Sequence, residues 1–198
     1  IKMIISKEHK FVFVAVPKTA STSIHNAWGI TKHPPPHEYH MTLEEALKQN
    51  VECKDYFKFC FVRNPYQRFI STWFDLISNK NGHLYESWNS LGEEFVSFEQ
   101  FVFKFPTSKW VNWVHFRKQV DYVKVDGLNK MNFIGRQEKF EEDFAEACRI
   151  IGIDKPNTQI VKASIRPRIE EIATKDYYDM ISEVYHEDFE QFNYKKFS

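Results

Sequence analysis

Three groups of residues in this chain have the types and spacing for chemistry on an anion. The first is Pro17-Lys18-Thr19-Ala20-Ser21-Thr22-Ser23, one lysine followed by small residues, most of them hydroxylated. Small side chains let the backbone approach a bound group closely, hydroxyls add donors, and Lys18 adds a full positive charge. The second is Arg63 with Ser71 eight residues on, about two helical turns along. A guanidinium grips a phosphate through two parallel bonds, and a hydroxyl can complete the grip. The third is a run of histidines, His33, His37 and His40, with Glu38 among them. An imidazole titrates near neutrality and can take a proton from a hydroxyl. His40 ranks first as a base because it stands just before the expected helix start at Thr42; His37 ranks second, His33 third, and Glu38 is an outside candidate.

Each group also has a plainer reading. The serines and threonines could simply cap a helix. Arg63 could sit in an ion pair, Ser71 on a helix surface, and the histidines on the surface of a loop. His37 and His40 have the spacing of a metal pair, but a proline-rich loop is a poor template and no third ligand is evident, so no metal is expected.

The elements that must position these residues follow from periodicity. Phe11–Val16 is a short run rich in Val and Phe, the pattern of a buried strand. Ile24, Ala27 and Trp28 then fall at helical spacing within Ser23–Gly29. Three consecutive prolines, Pro34 to Pro36, exclude helix from the next stretch. Thr42 and Glu45 have the spacing of a capping box, opening a helix through Leu43, Ala46 and Leu47. Phe57–Val62 is a second strand, and Pro65 suits the first turn of the helix after it. Phe69, Ile70, Trp73, Phe74 and Ile77 give that helix one apolar face. A third strand runs to Ile134, and a helix follows with Phe140, Phe144, Ala147, Cys148 and Ile151 inward. Residues 154–175 look like loop, and residues 176–190 like a last helix.

Strands alternating with helices imply an α/β fold: a central parallel sheet like that of P-loop proteins, flanked by helices. Ligands bind such sheets beyond the carboxyl ends of the strands. Pro17–Ser23, Arg63–Asn64 and Arg136 all come just after expected strands, so this fold gathers them at one edge. A single domain over residues 1–198 is expected. Residues 79–118, rich in Phe and Trp, would be a helical insertion forming a lid or the acceptor side. The first loop resembles a Walker loop, but it lacks both glycines, its lysine precedes the small residues, and no clear acidic partner for Mg²⁺ is visible.

Composition narrows the classes. The 198 residues include 27 basic and 27 acidic side chains, for a formal net charge of zero. Nothing overall marks a nucleic-acid or membrane-surface binder. The three cysteines, Cys53, Cys60 and Cys148, have neither metal nor disulfide spacing, which fits a reducing compartment. No apolar run reaches the ~18 residues of a membrane span, and no signal peptide is recognised. The expectation is a cytoplasmic protein of bacterial or viral type; the alternative is a luminal domain cut from a longer Golgi-type enzyme.

In order and spacing, several segments resemble the sulfotransferases that use 3′-phosphoadenosine 5′-phosphosulfate (PAPS). The likeness is to the carbohydrate branch that includes heparan 2-O-sulfotransferase. VPKTASTS looks like the family's 5′-phosphosulfate loop. VRNPYQRFIS looks like its 3′-phosphate motif, Arg-Asp/Asn-Pro-x-x-Arg-x-x-Ser. FIGRQEKFEEDF resembles a downstream strand-and-helix segment. ASIR at 163–166 and YHEDFEQFNY at 185–194 resemble the C-terminal block.

The resemblance implies that Lys18 contacts the oxygen bridging sulfur and phosphorus, and that Thr19, Ala20, Ser21, Thr22 and Ser23 cradle the phosphosulfate. It implies that Arg63 and Ser71 hold the 3′-phosphate, and that Ser164 and Arg166 belong to a loop closing over the nucleotide. Arg136 would either touch nucleotide or pair with Glu138. His115, Arg117 and Gln119 could line the acceptor site, with Trp88, Trp110 and Trp113 as stacking faces or as core. The expected protein is a PAPS-dependent sulfotransferase of EC 2.8.2 type, releasing the 3′,5′-bisphosphate PAP. Its partner would be a hydroxyl-bearing acceptor, a carbohydrate first of all, with no nucleic acid and no membrane insertion. The rival readings are a P-loop-type kinase using Mg·ATP and a non-catalytic nucleotide-binding module. Oligomeric state is not legible.

Overall fold

The apolar run that opens at Phe11 is a strand, β2 (Phe11–Val14), buried along its whole length. A strand covered on both faces needs no polar alternation, which is why the run is continuous. The computed structural model describes residues 4–30, 39–77, 97–158 and 169–197. In it β2 pairs in parallel with β3 (Phe57–Val62), and β3 in parallel with β6 (Phe133–Arg136). A short antiparallel strand, β1 (Ile4–Ser6), completes the order β1-β2-β3-β6. The α/β reading with a mainly parallel sheet therefore holds. β2 stops two residues before the expected Val16, where the Val16 N–H turns back to the Val14 carbonyl at 3.0 Å.

The chain divides into two compact units, Ile1–Arg63 with Lys118–Lys162, and Asn64–Arg117 with Ala163–Ser198. In the first, phenylalanines stack in register across the sheet, Phe13 opposite Phe59 and Phe59 opposite Phe133. The helix Phe140–Ile151 covers one face with Phe140, Phe144, Ala147 and Cys148. Its Phe140 ring lies 5.3 Å from that of Phe61. Gly135 stands opposite Phe61 in the ladder, and a β-carbon there would lie 2.5 Å from the Phe61 ring. A glycine in this strand is thus a packing requirement. Cys53, Cys60 and Cys148 are buried and free, and burial raises their thiol pKa values, Cys148 to about 11.

A two-stranded hairpin, β4 (Lys124–Val125) and β5 (Leu128–Asn129), was not foreseen from periodicity. Its turn has Asp126 at φ 50° and Gly127 at φ 75°. Asp-Gly is a sequence signal for such a turn.

The second unit is built on aromatic packing. Tyr66, Phe69 and Trp73 of the helix Pro65–Ile77 join Phe98, Phe101, Phe105, Trp110, Phe116, Tyr177, Tyr185 and Phe189 in one core. Arg68 is buried in it and donates to the carbonyls of His115 at 3.1 Å and Arg117 at 2.6 Å. The expected C-terminal helix is two, Lys175–Val184 and His186–Gln191, broken at Tyr185. One helical turn, Ile169–Ile172, falls in the stretch expected to be loop.

Candidate active site

After β2 the chain turns through Pro17 to Ala20 into the helix Ser21–Ala27. Lys18 has φ 68° and Ala20 φ 70°, the left-handed region that glycine occupies without strain and other residues enter at a cost of about 1 kcal/mol or more. The loop thus takes left-handed backbone on both sides of Thr19 without the glycines of a Walker loop. Left-handed residues alternating with right-handed ones turn successive N–H groups into an anion-binding concavity.

The plainer reading of the hydroxyl run, that it caps the helix, is not what the chain does. The N-cap is Ala20, no side chain caps the first turn, and no acidic residue lies in it. Thr19 is fully buried and donates its hydroxyl back to the Val16 carbonyl at 2.9 Å, which ties the loop to itself. Ser21 and Ser23 are buried and Thr22 is exposed. Behind the loop, His25 Nδ1 donates to the Ser21 carbonyl at 2.8 Å, and the Tyr39 hydroxyl lies 3.0 Å from the same nitrogen. Burial raises the Tyr39 pKa, opposed by hydrogen bonds with the Ser21 and Thr22 side chains.

Arg63 follows the last residue of β3, at the carboxyl end of the sheet. Its Nη1 lies 3.5 Å from the Lys18 carbonyl oxygen. The side chain of one expected anion site therefore reaches the backbone of the other. The Arg63 backbone is held by Gln119, whose Oε1 accepts from the Arg63 N–H at 2.9 Å while its Nε2 donates to the Arg63 carbonyl at 2.8 Å. On β6, Arg136 pairs with Val62, and its N–H donates to Asp143 Oδ2 at 2.6 Å.

His40 is buried, with Nδ1 2.5 Å from the Ala15 carbonyl oxygen. A carbonyl can only accept, so Nδ1 carries the proton and, in the neutral ring, Nε2 carries the lone pair. Ala15 lies between β2 and the Lys18 loop, so one backbone segment presents the loop and orients this imidazole. The Tyr39 ring packs edge-on against that of His40, centroids 4.5 Å apart.

The remaining expected residues divide as follows. Ser71 is buried in the helix Pro65–Ile77 of the second unit. His115 is buried and Arg117 half-buried in the same unit, where both carbonyls accept from Arg68. Trp110 and Trp113 pack 5.4 Å apart, Trp110 buried in the aromatic core. Gln119 is fully buried, with its carboxamide turned to Arg63. His33, His37, Glu38, Trp88, Ser164 and Arg166 lie outside the described residues. Among the described residues no cluster of three or more His, Cys, Asp or Glu is placed to hold a metal, and no helix is long and apolar enough to cross a membrane.

Sequence reasoning gave no part to Tyr39 or Arg68, nor the holding of Arg63 to Gln119. For Arg68 a signal existed: it is the second arginine of the same motif, and it sits beside Phe69 on an apolar helix. For Gln119 there was none, because its partner lies 56 positions away in the chain.

Comparison with known proteins gives one finding that covers nearly the whole chain. The family model described as "Sulfotransferase family" matches residues 2–195. Searches of the curated proteins and of the solved structures returned no match.

Proposed function

The chain belongs to the sulfotransferase family, and from that premise we propose that it moves a sulfuryl group from PAPS to a hydroxyl of a carbohydrate. Membership implies sulfuryl transfer and a hydroxyl-bearing acceptor; the donor, the acceptor class and the residue roles are our reading. In that reading the acceptor oxygen attacks sulfur in line with the bond to the bridging oxygen. The new S–O bond forms, the old one breaks, and PAP leaves with the bond's electron pair. Charge grows on the bridging oxygen, where Lys18 and the N–H groups of Thr19 to Ser23 stabilise it. Arg63 takes the 3′-phosphate. The hydroxyl proton passes to His40 Nε2. No metal is needed for any of these steps.

The observation that carries the reading is the 3.5 Å approach of the Arg63 guanidinium to the Lys18 carbonyl. It brings the two cationic residues of the two motifs to one rim of one sheet. The bond from His40 Nδ1 to the Ala15 carbonyl, beside the Lys18 loop, supports its choice as base.

Calorimetry with PAP, with and without magnesium, tests the donor. PAP should bind without the metal and more tightly than Mg·ATP; no binding of PAP or PAPS overturns the reading, and a preference for Mg·ATP replaces it with a kinase. Sulfur-labelled PAPS offered with a panel of glycans tests the acceptor, and label appearing only on non-carbohydrate hydroxyls would overturn that part. His40→Ala should lower turnover about 10²–10⁴-fold with PAP affinity kept. Full turnover would remove His40 from the mechanism.

A further inference from the structure

We infer that Gln119 is a positioning residue for Arg63, and that it governs how strongly the site prefers a nucleotide bearing a 3′-phosphate. The inference rests on the proposed use of Arg63 for that phosphate. The ladder between β3 and β6 ends at the pair Val62–Arg136, so Arg63 is the first residue beyond it. The Gln119 carboxamide supplies there what a strand would supply, an acceptor for the Arg63 N–H at 2.9 Å and a donor for its carbonyl at 2.8 Å.

A carboxamide meets both needs in one orientation only, because a flip would set amide against N–H and oxygen against carbonyl. Gln119 is fully buried and opens the helical turn Val120–Val123, whose Val120, Tyr122 and Val123 are also buried. The arm that holds Arg63 is therefore anchored in the core. With its backbone fixed, the Arg63 side chain starts from one Cα–Cβ direction and reaches the Lys18 loop, Nη1 to the Lys18 carbonyl. Preorganising a long cationic side chain lowers the ordering cost of gripping an anion. A mobile Arg63 would still attract a phosphate, but with less selectivity for its position.

A residue that only supports the fold would change stability and leave nucleotide preference alone. A positioning residue changes the preference. The readout is the ratio of dissociation constants for adenosine 5′-phosphate and PAP, which differ in the 3′-phosphate. Gln119→Met keeps the volume and removes both bonds; it should lower the ratio about tenfold, chiefly by weakening PAP. Arg63→Ala should lower it at least as far, and adding Gln119→Met to Arg63→Ala should change the ratio no further. Gln119→Asn, too short to span both backbone atoms, is read in the same way if Gln119→Met does not fold. An unchanged ratio in a folded variant, or equal weakening of both nucleotides, overturns the inference while leaving the proposed function standing. Failure of both variants to fold assigns Gln119 to the fold and overturns it too. A wild-type protein that does not prefer PAP at all sinks the proposed function itself, and the inference with it.

Discussion

Two helices of the sheet-bearing unit, each seven residues long, begin in opposite ways. The helix Leu43–Gln49 closes its own start. Thr42 accepts from the Glu45 N–H at 3.2 Å, the Glu45 carboxylate accepts from the Thr42 N–H at 2.8 Å, and Glu44 and Glu45 put negative charge in the first turn. The helix Ser21–Ala27 has Ala20 at its cap, no side-chain cap and no acid in its first turn. Both starts face the same need, since the first N–H groups of any helix lack partners within it. One meets that need with its own side chains. The other has left-handed Lys18 and Ala20, a cationic side chain and a row of hydroxyls, which the proposed function assigns to the phosphosulfate.

If the contrast has that meaning, Lys18→Ala gives the largest effect among changes at the two helix starts. Turnover should fall about 10²–10³-fold, as for loss of one donor to a developing oxyanion, about 2.7–4 kcal/mol of barrier. The unfolding midpoint should hardly move, because Lys18 is not part of the core. Initial rates with labelled PAPS and a urea titration check both; equal rates would remove Lys18 from the chemistry. Next is Ala20→Asp, which gives the open start the kind of side chain that seals helices. Aspartate tolerates left-handed backbone better than alanine and favours the helix N-terminus, so stability should hold or rise. PAP affinity should fall about tenfold or more through like charge. Unchanged affinity by calorimetry would mean that the anion does not sit at this helix.

How far the sequence carried depended on the range over which each feature is encoded. Phe57–Val62 was legible to the residue because an apolar run of strand length ends at an arginine and a proline turn. The helices from Pro65 and Phe140 were legible from their periodic faces. β1 was too short to leave a period, and the break at Tyr185 is invisible to a pattern that continues through it. The residue types of the loop suggested an anion site but gave no hint of its left-handed backbone, because neither Lys18 nor Ala20 is a residue that favours it. The Gln119–Arg63 pairing has no local signature at all.

Gly135 shows the same limit and supplies the third prediction. Its motif was visible, but its reason, the Phe61 ring directly opposite, depends on sheet register. Phe61 is fully buried and packed on Phe140, so it has little room to move. Gly135→Ala should destabilise the fold by about 1–3 kcal/mol, read as a lower urea midpoint. A neutral result would mean that the ring can step aside.

The smallest effect separates two ways of holding His40, the proposed base. His40 stands two residues before the Thr42 cap, and sequence alone suggested that the helix start keeps it in place. The structure offers a second anchor, the bond from His40 Nδ1 to the Ala15 carbonyl. Thr42→Ala removes the bond from the Glu45 N–H and should cost about 1 kcal/mol of stability. If the Ala15 carbonyl orients the imidazole, turnover in the folded variant should stay within about twofold of the parent, because a frayed helix turn leaves that bond intact. If the cap does the holding, turnover should fall well beyond what the loss of folded protein explains. Rates normalised to the folded fraction decide between them. Either result also bears on the contrast between the two helix starts: unchanged rates leave the sealed start a purely structural device, and lowered rates make it part of the site.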